Sequence, residues 1–96
     1  MSAFFIATVT IKDAEKFTEY GGKAGATFAP FGGKLLTKGK AEKTLAGESS
    51  HQTAAIVSFP DMAALEGWYQ SPEYQALIPL RDSAADMTLV AYAVPA

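Results

Sequence analysis

The 96-residue chain has no cysteine, and it holds a single histidine, a single tryptophan and a single arginine, at His51, Trp68 and Arg81. Without cysteine there are no disulfides, no thiolate metal sites and no thiol nucleophile. One histidine cannot build an ordinary structural zinc site within one chain, so no metal is expected. Haem would have only His51 or a tyrosine to hold it, and no cofactor is expected. Phosphate-binding and nucleophile motifs are missing too. Gly-Gly-Lys occurs at 21–23 and 32–34, but without the preceding glycine or following hydroxyl residue of a phosphate-binding loop. No GxGxxG follows a strand. No GxSxG turn is present, and Ser49, Ser50 and His51 are too close in sequence to form a triad. Long apolar runs are also absent. The N-terminal AFFIATVTI is too short and too polar to span a membrane, and it lacks the basic lead of a secretory signal. The expectation is a soluble, cytoplasmic protein without membrane contact.

What is present is a core-rich composition, 49% hydrophobic and 19% charged. The length fits one domain over residues 1–96. A chain this short buries only about 60–65% of its unfolded surface, so association would add useful burial. A net charge of −2 argues against nucleic acid as a partner. One local exception is Lys34, Lys38, Lys40 and Lys43, opposed only by Glu42. These lysines read either as a solvated edge strand guarded against further strand pairing, or as an anion-attracting patch.

The pattern along the chain alternates in period. Residues 3–11 are β-branched and aromatic and read as a strand. Asp13 then suits a helix N-cap, with Glu15 in the first turn. Phe17, Tyr20, Ala24, Phe28 and Phe31 follow on one helical face, while Gly21, Gly22 and Gly25 weaken that helix. Pro30 and Gly32-Gly33 end it. Strands are expected at 34–39 and 52–59, joined by a segment, 40–51, that is turn-like in its second half and open to continued strand pairing in its first. Asp61 caps a short helix that places Ala64, Leu65, Trp68 and Tyr69 on one face. Ser71-Pro72 restarts helix, with serine as cap and proline at the first position. Pro79 has no donor for the preceding turn, so a kink or second short helix is expected near 79–85. A last strand is expected at 87–94.

The order β-α-β-β-α-β is the ferredoxin-like α+β plan, an antiparallel four-stranded sheet with helices on one face. Both faces of its strands read as uncharged. Phe5, Ala7 and Val9 alternate with Phe4, Ile6 and Thr8; Val57 and Phe59 alternate with Ile56 and Ser58; Leu89 and Ala91 alternate with Val90 and Tyr92. A half-solvated sheet should alternate apolar with polar. Two helices cover one face, so the other needs a second cover. The expected cover is the same face of another copy, in an isologous homodimer.

The stretch FPDMAALEGWYQSPEYQALIPLRDSA carries a resemblance. Its Phe59-Pro60, Trp68-Tyr69, Ser71-Pro72-Glu73-Tyr74-Gln75, Leu77, Leu80 and Arg81 resemble a small bacterial family known as domain of unknown function 1330. That family is placed in the dimeric α/β-barrel superfamily. The run ATVTIKDAEKFTEY and Gly32-Gly33-Lys34 are similar to the family as well. The loop GESSH at 47–51 departs from it, because many relatives are richer there in tryptophan, proline and basic residues. The resemblance implies that the ferredoxin-like sheet pairs into a dimeric α/β barrel. It implies no activity, since superfamily members include cofactor-free oxygenases, isomerases, dehydratases, haem proteins and transport or regulatory modules.

The candidate residues each have two readings. His51, the single histidine, is a general base if pocketed and partnered, a loop residue otherwise. The Arg81 guanidinium suits a carboxylate ligand, or a structural ion pair with Glu73, Asp82, Asp86 or another subunit. Trp68 is a core residue or a ligand platform. Tyr69 and Tyr74 are half-buried helix residues whose hydroxyls need partners. Tyr20 precedes two glycines that would let a neighbour approach closely. Three functions remain: a homodimer binding a small apolar or acidic molecule in a cleft, a cofactor-independent enzyme using that cleft, or a purely structural role.

Overall fold

The computed structural model describes residues 2–95. Strand β1 spans Ala3–Ile11 and is followed by helix α1, Ala14–Phe28. The Asp13 side chain caps α1 by accepting from the Lys16 N–H. Gly21, Gly22 and Gly25 do not interrupt the helix, because Tyr20 and Ala24 bury its core-facing side. A 3-10 turn at Ala29–Phe31 ends in Gly32, whose φ of 73° is the left-handed conformation that glycine adopts freely. Gly33 has no room for a side chain: a Cβ there would lie 2.7 Å from the Phe59 ring and 2.9 Å from Phe28. These two glycines turn the chain into β2, Lys34–Lys40, which is exposed throughout. The lysines of this segment therefore sit on a solvated edge strand.

Strand β3 spans Thr53–Phe59 and leads into α2, Met62–Gln70, capped by Asp61 through the Ala64 N–H. Ser71 is a double hinge. Its hydroxyl donates to the Trp68 carbonyl at 2.7 Å and accepts from the Tyr74 N–H at 3.3 Å, closing α2 and opening α3, Pro72–Gln75. Pro79 lies in the first turn of a separate helix α4, Ile78–Ala84, so the proline break expected near 79 is a new start. Strand β4, Ala85–Ala93, begins two residues before the apolar pattern does. Pairing of Asp86 with Thr10 and of Ala85 with Ile11 extends it.

The strands run antiparallel in the order β2-β3-β1-β4, the ferredoxin-like topology. One expectation is corrected. The sheet is open and not closed into a barrel: β2 pairs only with β3 and β4 only with β1, so each is an edge. The inner face carries Phe5, Val9, Val57 and Phe59, all buried beneath the helices with Leu65, Trp68 and Tyr74. On the outer face Val90 and Tyr92 are each 42% exposed. Phe4 stacks on Tyr92 there, ring centroids 5.2 Å apart. The expected cytoplasmic location also narrows: among the described residues no helix is long and apolar enough to cross a membrane.

Candidate functional site

The residues singled out by sequence divide between the two sides of the sheet. Trp68, Tyr69, Tyr74, Tyr20 and Arg81 form one cluster on the helical side. Trp68 is 2% exposed and lies flat on Phe5, ring centroids 5.0 Å apart and planes 10° apart. Its indole N–H donates to the Thr27 hydroxyl at 2.8 Å, so its one polar atom is satisfied across the core. Tyr74 is fully buried, with its ring 4.4 Å from that of Trp68. The Tyr20 and Tyr74 hydroxyls share a hydrogen bond of 2.7 Å. Burial first, and the adjacent Tyr74 second, push the Tyr20 phenol far above its ordinary range.

Arg81 completes the chain of contacts. Its Nη1 donates to the hydroxyls of Tyr69 and Tyr74, each at 3.2 Å, and its Nε donates to the Asp82 carboxylate at 3.1 Å. Burial opposes the charge, but the hydrogen bonds to Tyr69 and Tyr74 outweigh it, so the guanidinium holds its proton more tightly than an ordinary arginine. The ion pair uses Asp82, one of the carboxylates expected from sequence, and that carboxylate is 64% exposed. Among the described residues Nη2 has no partner, although it is not sealed from solvent.

Beside this cluster lies a cleft of about 360 Å³ between α2 and the β1–β4 pair. Phe5, Leu65 and Trp68 form its floor, Leu89 and Ala91 its strand wall, and Tyr69, Glu66 and Gln70 its rim. Tyr69 joins cleft to cluster. Its oxygen accepts from Arg81, which leaves its own proton available to donate. Sequence reasoning missed Glu66 and Gln70. The spacing of Glu66 and Gln70 on α2 puts them one turn apart, but only the packing of α2 against β4 shows that they face a gap.

His51 stands apart. Its ring bridges the Thr10 hydroxyl, 3.0 Å from Nδ1, and the Thr88 hydroxyl, 3.2 Å from Nε2. Both threonines lie on the outer face, Thr88 two residues and Thr10 four residues along their strands from the Ile6–Val90 pair. The sheet thus separates His51 from Arg81 within the chain. Ser49 donates to the His51 carbonyl rather than to its ring. The glycines after Tyr20 also differ from expectation: among the described residues a Cβ at Gly21, Gly22 or Gly25 would meet nothing within 4 Å, so none of them approaches the helix closely there. Among the described residues no group of three metal-ligating side chains gathers.

An open antiparallel sheet, helices on one face and an aromatic cleft beneath α2 define a ferredoxin-like α+β domain. Within that class, the chain belongs to the family described as domain of unknown function 1330, which matches residues 2–94. No curated protein matches the chain. Among solved structures it is similar to RPA0582 of Rhodopseudomonas palustris, a protein of unknown function. That likeness is 22% identity over 99% of this chain and 83% of the other, with a TM-score of 0.83. SnoaB of Streptomyces nogalater, a cofactor-independent oxygenase, is 11% identical over 99% and 94% of the two chains, with a TM-score of 0.72. A protein from Jannaschia sp. CCS1, described as dimeric, ferredoxin-like and of unknown function, is 12% identical over 98% and 100%, with a TM-score of 0.78. At these identities the likenesses show the fold.

Proposed function

We propose that the protein is a homodimeric binding module that takes a small, largely apolar molecule with an acceptor oxygen into the cleft under α2. The observation that carries this reading is the Arg81–Tyr69 contact at the cleft rim. A hydroxyl that already accepts from a guanidinium directs its proton outward, and the positive charge behind it favours an acidic or enolic oxygen. The apolar floor supplies burial, and Tyr69 supplies orientation, the usual division of labour in small-molecule sites. The pairing of copies through the outer sheet face is supported by its exposed Val90 and Tyr92 and by relatives described as dimeric.

The cleft floor includes the chain's single tryptophan, which makes binding directly readable. Titration with small aromatic and aliphatic carboxylates should change Trp68 fluorescence, and Tyr69→Phe should weaken the response about tenfold. Native mass spectrometry of the purified protein reads subunit count and retained small molecules together. A panel that leaves Trp68 fluorescence and melting temperature unmoved, with no retained mass, overturns the binding reading. A second reading, cofactor-independent catalysis in the same cleft, is favoured by the likeness to SnoaB in fold and by Glu66 at the rim. Turnover lost on Glu66→Gln, with binding retained, would separate it from the first.

A further inference from the structure

The loop between β2 and β3, residues 41–52, is the longest connection in the chain and contains no regular element. Loops of about twelve residues inside a compact domain commonly have a role of their own. Its second half is fastened to the outer face. Thr10 donates to the Ser50 carbonyl at 3.1 Å, and the His51 ring spans Thr10 and Thr88. The base of the loop is closed by the Ala41 N–H donating to Gln52, and the Gln52 N–H donating to Val9. The loop rises on the outer side and leaves a groove against Thr8, Gly39 and Ala54 of the sheet. Its first half presents Leu45, 90% exposed, well above Leu36 at 61%.

Two quantities meet here. Four strands about 4.8 Å apart, averaging roughly eight residues of about 3.3 Å along each, give the outer face a flat footprint of only about 500 Å². A stable dimer needs about 800 Å² from each partner. The flat face alone falls short, and the clipped loop on the same side is the remaining surface able to extend it. We infer that residues 41–52 form an arm that clasps a second copy, with Leu45 as its anchor on the partner's outer sheet face and the His51 clip as the hinge that aims it. In an isologous pair each copy gives one arm and receives one, so every effect is doubled. Leu45 has no intrachain role in burial, which separates association from folding in the test.

This inference rests on the pairing of copies proposed above, and the experiment keeps the two apart. Sedimentation equilibrium is run on the wild type, on Val90→Asp in the face, and on Leu45→Ser in the arm, with circular dichroism to check folding. The expected result is a wild-type dimer, a monomeric Val90→Asp, and a dissociation constant raised tenfold or more by Leu45→Ser, at unchanged monomer melting temperature. Because the chain has no other cysteine, Leu45→Cys can carry a single benzophenone. In a mixture of ¹⁴N and ¹⁵N protein its cross-links should join light and heavy chains at β1, β3 or β4. A wild type monomeric at micromolar concentration overturns the pairing and the arm together. A dimer with wild-type affinity in Leu45→Ser, and cross-links confined to one chain, overturns the arm and leaves the pairing standing.

Discussion

The two faces of one sheet share a strand composition and have opposite fates. Phe5, Val57 and Phe59 on the inner face are at most 6% exposed, whereas Val90 and Tyr92 on the outer face are each at 42%. Neighbouring residues on a strand differ in burial only because every helix packs on one side. The inner face is specified by shape: aromatic rings stack at defined angles, and glycines appear where a ring needs the space. The outer face is specified by chemistry alone, apolar in its middle, with threonines and His51 at one end. Side-chain changes should therefore act on folding from the inside and on association from the outside, and the variants below test that division in order of their effect on folding.

The largest effect is expected at Trp68. It contacts Phe5, Phe28, Phe59 and Tyr74 at once. Trp68→Ala should cost about 3–5 kcal/mol, read as a lower urea midpoint at unchanged slope. A loss below about 1 kcal/mol would mean that the inner face is not tightly specified. Gly33→Ala comes next. A new methyl 2.7 Å from the Phe59 ring must move it, at about 1–3 kcal/mol.

These inner-face features were unevenly legible in the sequence. Asp13, Asp61 and Ser71 cap helices through neighbours three residues away, so the local pattern reveals them. The span of β1 follows from its alternation for the same reason. Contacts across the chain were not legible. Nothing near His51 points to Thr10 or Thr88, which are 41 and 37 residues away. The cleft exists only because α2 crosses β1 and β4. The start of β4 at Ala85 was hidden because Asp86 is a poor strand former in isolation. The sequence pattern also could not distinguish an open sheet from a closed one, because closure depends on edge pairing and not on the alternation within each strand.

Tyr20 carries the polar half of the inner face. Its hydroxyl is neutral in the folded chain well above pH 10, the ordinary tyrosine value, because burial disfavours the phenolate. Above pH 10 the unfolded chain releases that proton and the folded chain keeps it. The folded state then binds more protons, and stability must fall as pH rises. Below pH 10 the two states match and no dependence on this group is expected. Urea midpoints at pH 9 and pH 11 should differ less in Tyr20→Phe than in the wild type. An equal loss in both would remove Tyr20 from the account. At neutral pH, Tyr20→Phe should cost about 1 kcal/mol for the lost hydrogen bond to Tyr74.

The outward side of α1 tests the division with the opposite sign. A Cβ at Gly25 would meet open space, and its backbone is helical. Gly25→Ala should therefore stabilise the fold by about 0.4–1 kcal/mol by restricting the unfolded chain. A loss of stability that grows with protein concentration would mean that another copy packs against this helix.

The smallest effect on folding, and the sharpest on assembly, is expected at Val90. It pairs with Ile6 across the outer face and its side chain has no helix above it. At concentrations low enough to keep the chain monomeric, Val90→Asp should change stability by less than about 1 kcal/mol, the span of strand propensity on a solvated face. At high concentration the same change should lower the melting temperature relative to the wild type, because only the wild type gains from mass action. On dilution the difference between wild type and Val90→Asp should shrink to that intrinsic change. If Val90→Asp is as damaging in the dilute monomer as Gly33→Ala, the outer face contributes to the fold of the single chain, and the contrast between the two faces fails.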